Sequence, residues 1–218
     1  MKRFALPAIV VMGSLGALLS GCSGLHADGP PVQIYILRAT AVTPDDPPSA
    51  TSATAPSIQL PRPSADPGLS TQLIMLVRSD HRLDYYSGSR WAADLPDVVE
   101  TLAIDTLRAS GTWRAVHESP SAFLADYVLQ IDIRRFEADY TDGGEAPKIH
   151  VVLDCTLARR IGRDLVSSFV AEGVAQADEN RLSSVVAAFE KAANAALTTL
   201  ADRSATAVRA MPPVAATP

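Results

Sequence analysis

The chain has 218 residues, 47% hydrophobic and 20% charged, with 19 basic and 24 acidic side chains and a net charge of −5. That length fits one domain with tails, and the acidic balance argues against a nucleic-acid binder, which needs clustered Lys and Arg to neutralise phosphates. Two cysteines are too few for a disulfide scaffold or a Cys-based zinc site, and one long apolar run, starting at Phe4, excludes a polytopic membrane protein.

In chain order, Lys2 and Arg3 precede an apolar stretch from Phe4 to Leu19, broken by Pro7, Gly13 and Gly16. It is shorter than the roughly 20 residues a spanning helix needs and suits a secretory signal. It ends in Leu19-Ser20-Gly21-Cys22, which resembles the bacterial lipobox. In that motif the small residues Ser20 and Gly21 admit the peptidase, and the sulfur of Cys22 receives a diacylglyceryl group. An ordinary signal peptide with a coincidental Cys is the alternative. Several acyl chains, at about 0.8 kcal/mol per buried CH₂, anchor firmly. Ser23, in place of Asp, matches an outer-membrane sorting context. Removing residues 1–21 takes two basic and no acidic groups, so the mature net charge is −7. With Cys22 acylated, Cys155 has no disulfide partner.

Residues 23–31 form a polar tether, and Gln33–Leu37 reads as a first strand. From Ala39 to Ser57, 16 of 19 residues are Pro, Ala, Thr or Ser, a composition that cannot bury enough to offset its ordering entropy. Ser57–Leu60 is a short strand candidate, followed by a turn through Pro61, Pro63, Pro67 and Gly68. Thr71–Arg78 is apolar on both faces and reads as a covered central strand. Arg82–Ser87 is a further strand, broken at Gly88-Ser89. Asp94–Ser110 is a helix, with Pro96 near its start, Leu95, Val98, Val99, Leu102 and Leu107 at helical spacing, and Gly111 as a stop.

Trp113–His117 is a short strand. Asp126–Phe136 alternates cleanly, with Tyr127, Leu129, Ile131 and Ile133 on one face and Gln130, Asp132 and Arg134 on the other. A Thr141-Asp142-Gly143-Gly144 turn leads into Lys148–Arg159, also alternating, and Gly162-Arg163-Asp164 into a strand over Leu165–Gln176. A second helix spans about 178–202, its stripe running from Leu182 to Leu200 and its other face carrying Glu190, Lys191 and Asn194. Beyond it the chain is Ala/Pro-rich and frays. The expected organisation is a signal peptide at 1–21 and an anchor, tether, first strand and insertion at 22–56. A domain at 57–204 and a disordered tail at 205–218 follow. The fold class is α+β: an antiparallel or mixed sheet with two helices packed on one face.

Chemistry-bearing patterns are sparse. His26, His81, His117 and His150 have no metal-pair spacing, and there is no Gly-rich phosphate loop. No cofactor is called for, and an enzyme is not expected. Alternation sends Cys155 to the apolar face, away from His150 and Asp154, which argues for a core cysteine over a nucleophile. Asp132 reads as a solvated strand position. The segment Leu83-Asp84-Tyr85-Tyr86-Ser87-Gly88-Ser89-Arg90-Trp91 stands apart. It gathers Tyr85, Tyr86, Arg90 and Trp91, residue types that dominate interface hot spots. Trp91 and one Tyr plugging the sheet–helix junction is the other reading.

These residues, with the lipobox, Tyr35-Ile36-Leu37, Pro67-Gly68-Leu69, Leu95-Pro96, Leu107–Gly111 and Ala125–Phe136, resemble the ABC-type transport auxiliary lipoprotein family, which includes the paraquat-inducible protein C group. The likeness covers most of the mature chain; the 39–57 insertion departs from it. The resemblance implies a lipid-anchored lipoprotein at the periplasmic face of the outer membrane. Its expected partners are an MCE-domain protein and the inner-membrane ABC permease and ATPase of a lipid-transport system, with a ring of copies as one arrangement. No catalytic residue is implied. A lipid carrier and a lipopolysaccharide-assembly accessory lipoprotein are the alternatives.

Overall fold

The structure, a computed structural model, describes residues 31–40 and 55–211. The signal sequence, Cys22, the tether, most of the 39–57 insertion and the last residues of the tail lie outside the described residues. Every element belongs to the unit Val32–Pro218. In chain order these are β1 (Gln33–Tyr35), β2 (Ser57–Leu60), β3 (Ser64–Ala65), β4 (Leu73–Val77), β5 (Leu83–Trp91), α1 (Leu95–Ala109), β6 (Ala115–Glu118), β7 (Tyr127–Asp139), β8 (Lys148–Arg159), β9 (Leu165–Gln176) and α2 (Leu182–Arg209).

The strands form one mixed sheet built around β7. On one side β7 pairs antiparallel with β8 along its whole length, and β8 pairs antiparallel with β9. On the other side, three short strands meet β7 in succession, all parallel to it. Ile58 of β2 faces Tyr127, Ser64 of β3 faces Asp132, and Leu76 of β4 faces Ala138. From there β2 continues to β6 in parallel, while β4 continues to β5 antiparallel and β5 to β1 in parallel. The fold is α+β, as its strand and helix order predicts.

Alternation decides which face is buried. On β8, Ile149, Val151, Leu153, Cys155 and Leu157 point inward; on β9, Phe169, Ala171 and Ala175 do. On β7 the inward set shifts from Leu129, Ile131 and Ile133 to Phe136 and Ala138. The cause is a bulge between Ile133 and Arg135, which inserts one residue and restores the apolar pattern on the same face. These side chains join Val99, Leu102 and Leu107 of α1 and Val185, Phe189, Ala193 and Leu197 of α2 in one buried cluster. Helices therefore cover one sheet face. Alanines on α2 and small residues on β9 let the helix lie close. A Cβ at Gly173 would sit 1.9 Å from the Ala192 carbonyl oxygen, so only glycine fits there.

Several element boundaries differ from the sequence reading. Gly88-Ser89 does not end β5, because Gly88 adopts φ +69° within a bulge. Leu73 faces Arg90 while Met75 faces Tyr85, so four residues of β5 oppose one of β4. β3 sits inside the Pro-rich stretch read as a turn; at two residues it is too short to carry a periodicity. β7 continues past Phe136 to Asp139. α2 starts at Leu182 and runs past Asp202 to Arg209, so the first residues of the expected tail are helical. Buried Ser204 and Ala205 keep that last stretch on the core.

Candidate docking face of the sheet

The Tyr85–Trp91 segment is half strand and half bulge, and its four singled-out side chains separate accordingly. Trp91 is 1% exposed. Its ring meets Phe136 and Phe189 edge-on, at centroid distances of 6.1 and 5.3 Å, and the two phenylalanines stack on each other at 5.3 Å. This aromatic trio fills the layer between β5, β7 and α2. Trp91 thus belongs to the core, and its place among the partner-binding residues is corrected: as the register partner of Tyr35 it points to the helix side.

Tyr86 is half-buried. Its hydroxyl lies 2.9 Å from that of Tyr140, which donates to Asn180 Oδ1 at 2.7 Å. Burial, and then the hydrogen bond to Tyr140, raise the pKa of the Tyr86 phenol. Tyr86 ties β5 to the end of β7 and to the approach of α2.

Tyr85 and Arg90 are exposed and share the helix-free face. The register fixes this. Leu83, Tyr85 and Arg90 stand opposite Val77, Met75 and Leu73, the alternate residues of β4, whereas Leu76 pairs with inward Ala138. Ile34 of the edge strand β1 faces Arg90 and extends the same patch. Ile34, Leu83 and Tyr85 are each half or more exposed, at 57, 53 and 50%. Toward β7 and β8 the face turns polar. Arg134 reaches Asp132 at 3.2 Å and Asp154 at 3.5 Å, and Arg135 reaches Glu137 at 2.6 Å and Asp139 at 3.1 Å. An open cleft of about 750 Å³ lies here, lined by Gln130, Asp132, Asp154, Thr156 and Ser168 among others. Its carboxylates are matched by arginine, an arrangement suited to specificity at a wet surface rather than to acid–base chemistry.

Among the described residues no cluster of His, Cys, Asp and Glu could hold a metal ion, and no helix is long and apolar enough to cross a membrane. Cys155 is buried and free; burial, followed by the Asp154 charge, pushes its thiol up to about 12. It faces away from His150 and Asp154, as alternation expects.

One positioning device went unread in the sequence. Glu190 and Asn194, on the polar side of α2, hold the segment after β1. The Arg38 amide donates to Glu190 Oε2 at 2.9 Å, the Thr40 amide to Asn194 Oδ1 at 2.6 Å, and Asn194 Nδ2 to the Arg38 carbonyl at 2.9 Å. Spacing of i and i+4 on a helix was the available signal, but both side chains looked merely solvated.

The chain is similar to several known proteins. A curated Bradyrhizobium diazoefficiens protein, uncharacterised bll6063, is 28% identical over 182 residues, which is 83% of this chain and 47% of that protein. The chain therefore spans about half the length of that relative. The crystal structure of XCC0632 from Xanthomonas campestris superposes with a TM-score of 0.69 at 26% identity, covering 81% of this chain and 97% of the other. A further crystal structure, of an uncharacterised protein, shares the fold at a TM-score of 0.62 and 11% identity, covering 80% of this chain and 99% of that one. Residues 35–203 match the family of ABC-type transport auxiliary lipoprotein components, and the chain belongs to that family.

Proposed function

We propose that this lipoprotein is the outer-membrane docking component of an MCE-type lipid-transport system, anchored through an acylated Cys22 on the periplasmic side. In this reading its work is protein–protein contact, not catalysis. The inner-membrane permease and ATPase supply the energy, and an MCE-domain protein bridges the periplasm to the lipoprotein. The observation that carries the reading is the helix-free patch of Ile34, Leu83, Tyr85 and Arg90. It combines exposed apolar area with an aromatic and an arginine, the composition of interface centres. Tyr86 supports the patch from beneath through Tyr140. A second copy of the chain on the neighbouring edge strand would give a ring.

A docking role fits better than a carrier role. Trp91, Phe136 and Phe189 fill the space between sheet and helices that an acyl chain would need. The open cleft on the other face is lined largely by polar groups. The test is co-purification of the MCE protein with the lipoprotein. Tyr85→Asp and Arg90→Glu should each reduce recovery at least about tenfold, the cost of losing a central hot spot, with an unchanged melting temperature. Normal recovery with both variants would refute the assigned face.

A further inference from the structure

The far end of the sheet from the β4–β5 turn carries a second feature, unconnected with the Tyr85 patch. Tyr127 and Arg159 are register partners, the Arg160 amide donates to the Asp126 carbonyl at 3.0 Å, and Leu165 faces Ala158. These contacts bring three segments to one end: the loop before β7, the β8–β9 turn and the first residue of β9. Each presents apolar side chains to solvent. Phe123 is 70% exposed, Leu124 80%, Ile161 89% and Leu165 64%, more than any other large hydrophobic among the described residues.

At the β8–β9 turn an open cleft of about 470 Å³ is lined by Arg159, Arg160 and Arg163, with Gln130 and Thr156. The Arg160 guanidinium donates to the side-chain oxygen of Gln59, a neutral acceptor that leaves the positive charge in place. Arg163 sits in the turn at φ +57° with no ion pair among the described residues. Of the carboxylates at this end, Asp126 is taken up by Ser57 and Arg114, which leaves Asp164 beside Arg160 and Arg163.

Exposed apolar side chains beside clustered cations match the chemistry of a bilayer leaflet, where acyl chains lie below anionic phosphates. A protein groove would demand one continuous apolar ridge; here three separate segments project. The family's lipoprotein character puts such a surface beside a membrane. We propose that this end of the sheet is a peripheral membrane-contact site: Phe123, Leu124, Ile161 and Leu165 enter the acyl boundary, and Arg160 and Arg163 hold phospholipid phosphates. The site would orient the domain on the leaflet independently of the lipid anchor and of any docking partner.

The test uses residues 22–218 with Cys22→Ser, which retains every described element and cannot be acylated. It is sedimented with vesicles of phosphatidylethanolamine and phosphatidylglycerol. Binding is expected, weakened by high salt and absent from pure phosphatidylcholine. Ile161→Asp should weaken it at least about tenfold and Arg163→Gln about fivefold, both with an unchanged melting temperature because the side chains are exposed. No binding to the anionic vesicles would overturn the proposal, as would binding that both variants leave intact. Two further outcomes would also overturn it: inorganic phosphate binding at the arginines without vesicle binding, and loss of MCE-protein recovery on Ile161→Asp without vesicle binding. None of these results bears on the Tyr85 face.

Discussion

Cys155 and Asp139 show how single side chains report the fold. The Cys155 thiol, pushed up to about 12 by burial, is un-ionised at neutral pH and shielded from reagents. In the Cys22→Ser chain a thiol reagent at pH 8 should leave it unlabelled when folded and label it fully in guanidinium. Rapid labelling of the folded chain would contradict its placement. Asp139 accepts from the Thr141 amide at 2.8 Å, the Thr141 hydroxyl at 2.6 Å and Arg135 at 3.1 Å. Burial raises its pKa, but these donors outweigh it, and the carboxyl lies below its ordinary 3.8. A depressed folded pKa contributes stability that is fully present above the unfolded value and lost as pH falls through the folded one. Asp139→Asn should therefore cost about 1–2 kcal/mol at neutral pH. In urea unfolding across pH, the gap to the parent should close progressively below about 3.8.

At the scale of elements, the close seating of α2 on β9 depends on Gly173. Gly173→Ala should lower stability by about 1–3 kcal/mol, because the new methyl meets helix backbone that cannot rotate away; an unchanged thermal midpoint would contradict that packing. The same elements show what was legible beforehand. β8 was readable to the residue, since alternation over its twelve positions leaves one register that buries the apolar set, and β9 was bounded by the Gly162-Arg163-Asp164 turn before it. α1 was readable from its spacing, Pro96 and Gly111. The β5 bulge was not, because Gly88-Ser89 has the local chemistry of a chain break and only pairing with both β1 and β4 holds it in the sheet. The true end of α2 was also hidden: Ser204 and Ala205 carry little hydrophobic signal, though both are buried.

At the scale of the whole molecule, the candidate site was half legible. Composition marked Tyr85–Trp91, but not that the bulge would send Trp91 inward and Tyr85 and Arg90 outward, since that sorting depends on the register with β4. The exposed tips at Phe123-Leu124 and Ile161 escaped notice because each is one or two apolar residues in a separate loop, and only the sheet brings the loops to one end. With one face of the sheet under helices, the proposed function assigns the other to partners. A benzophenone side chain replacing Tyr85 in the full-length, membrane-anchored protein tests this most directly, with the same group at Lys191 on the exposed side of α2 as control. A light-induced adduct with the MCE protein is expected from position 85 and none from 191. An adduct from 191 with position 85 unreacted would contradict it.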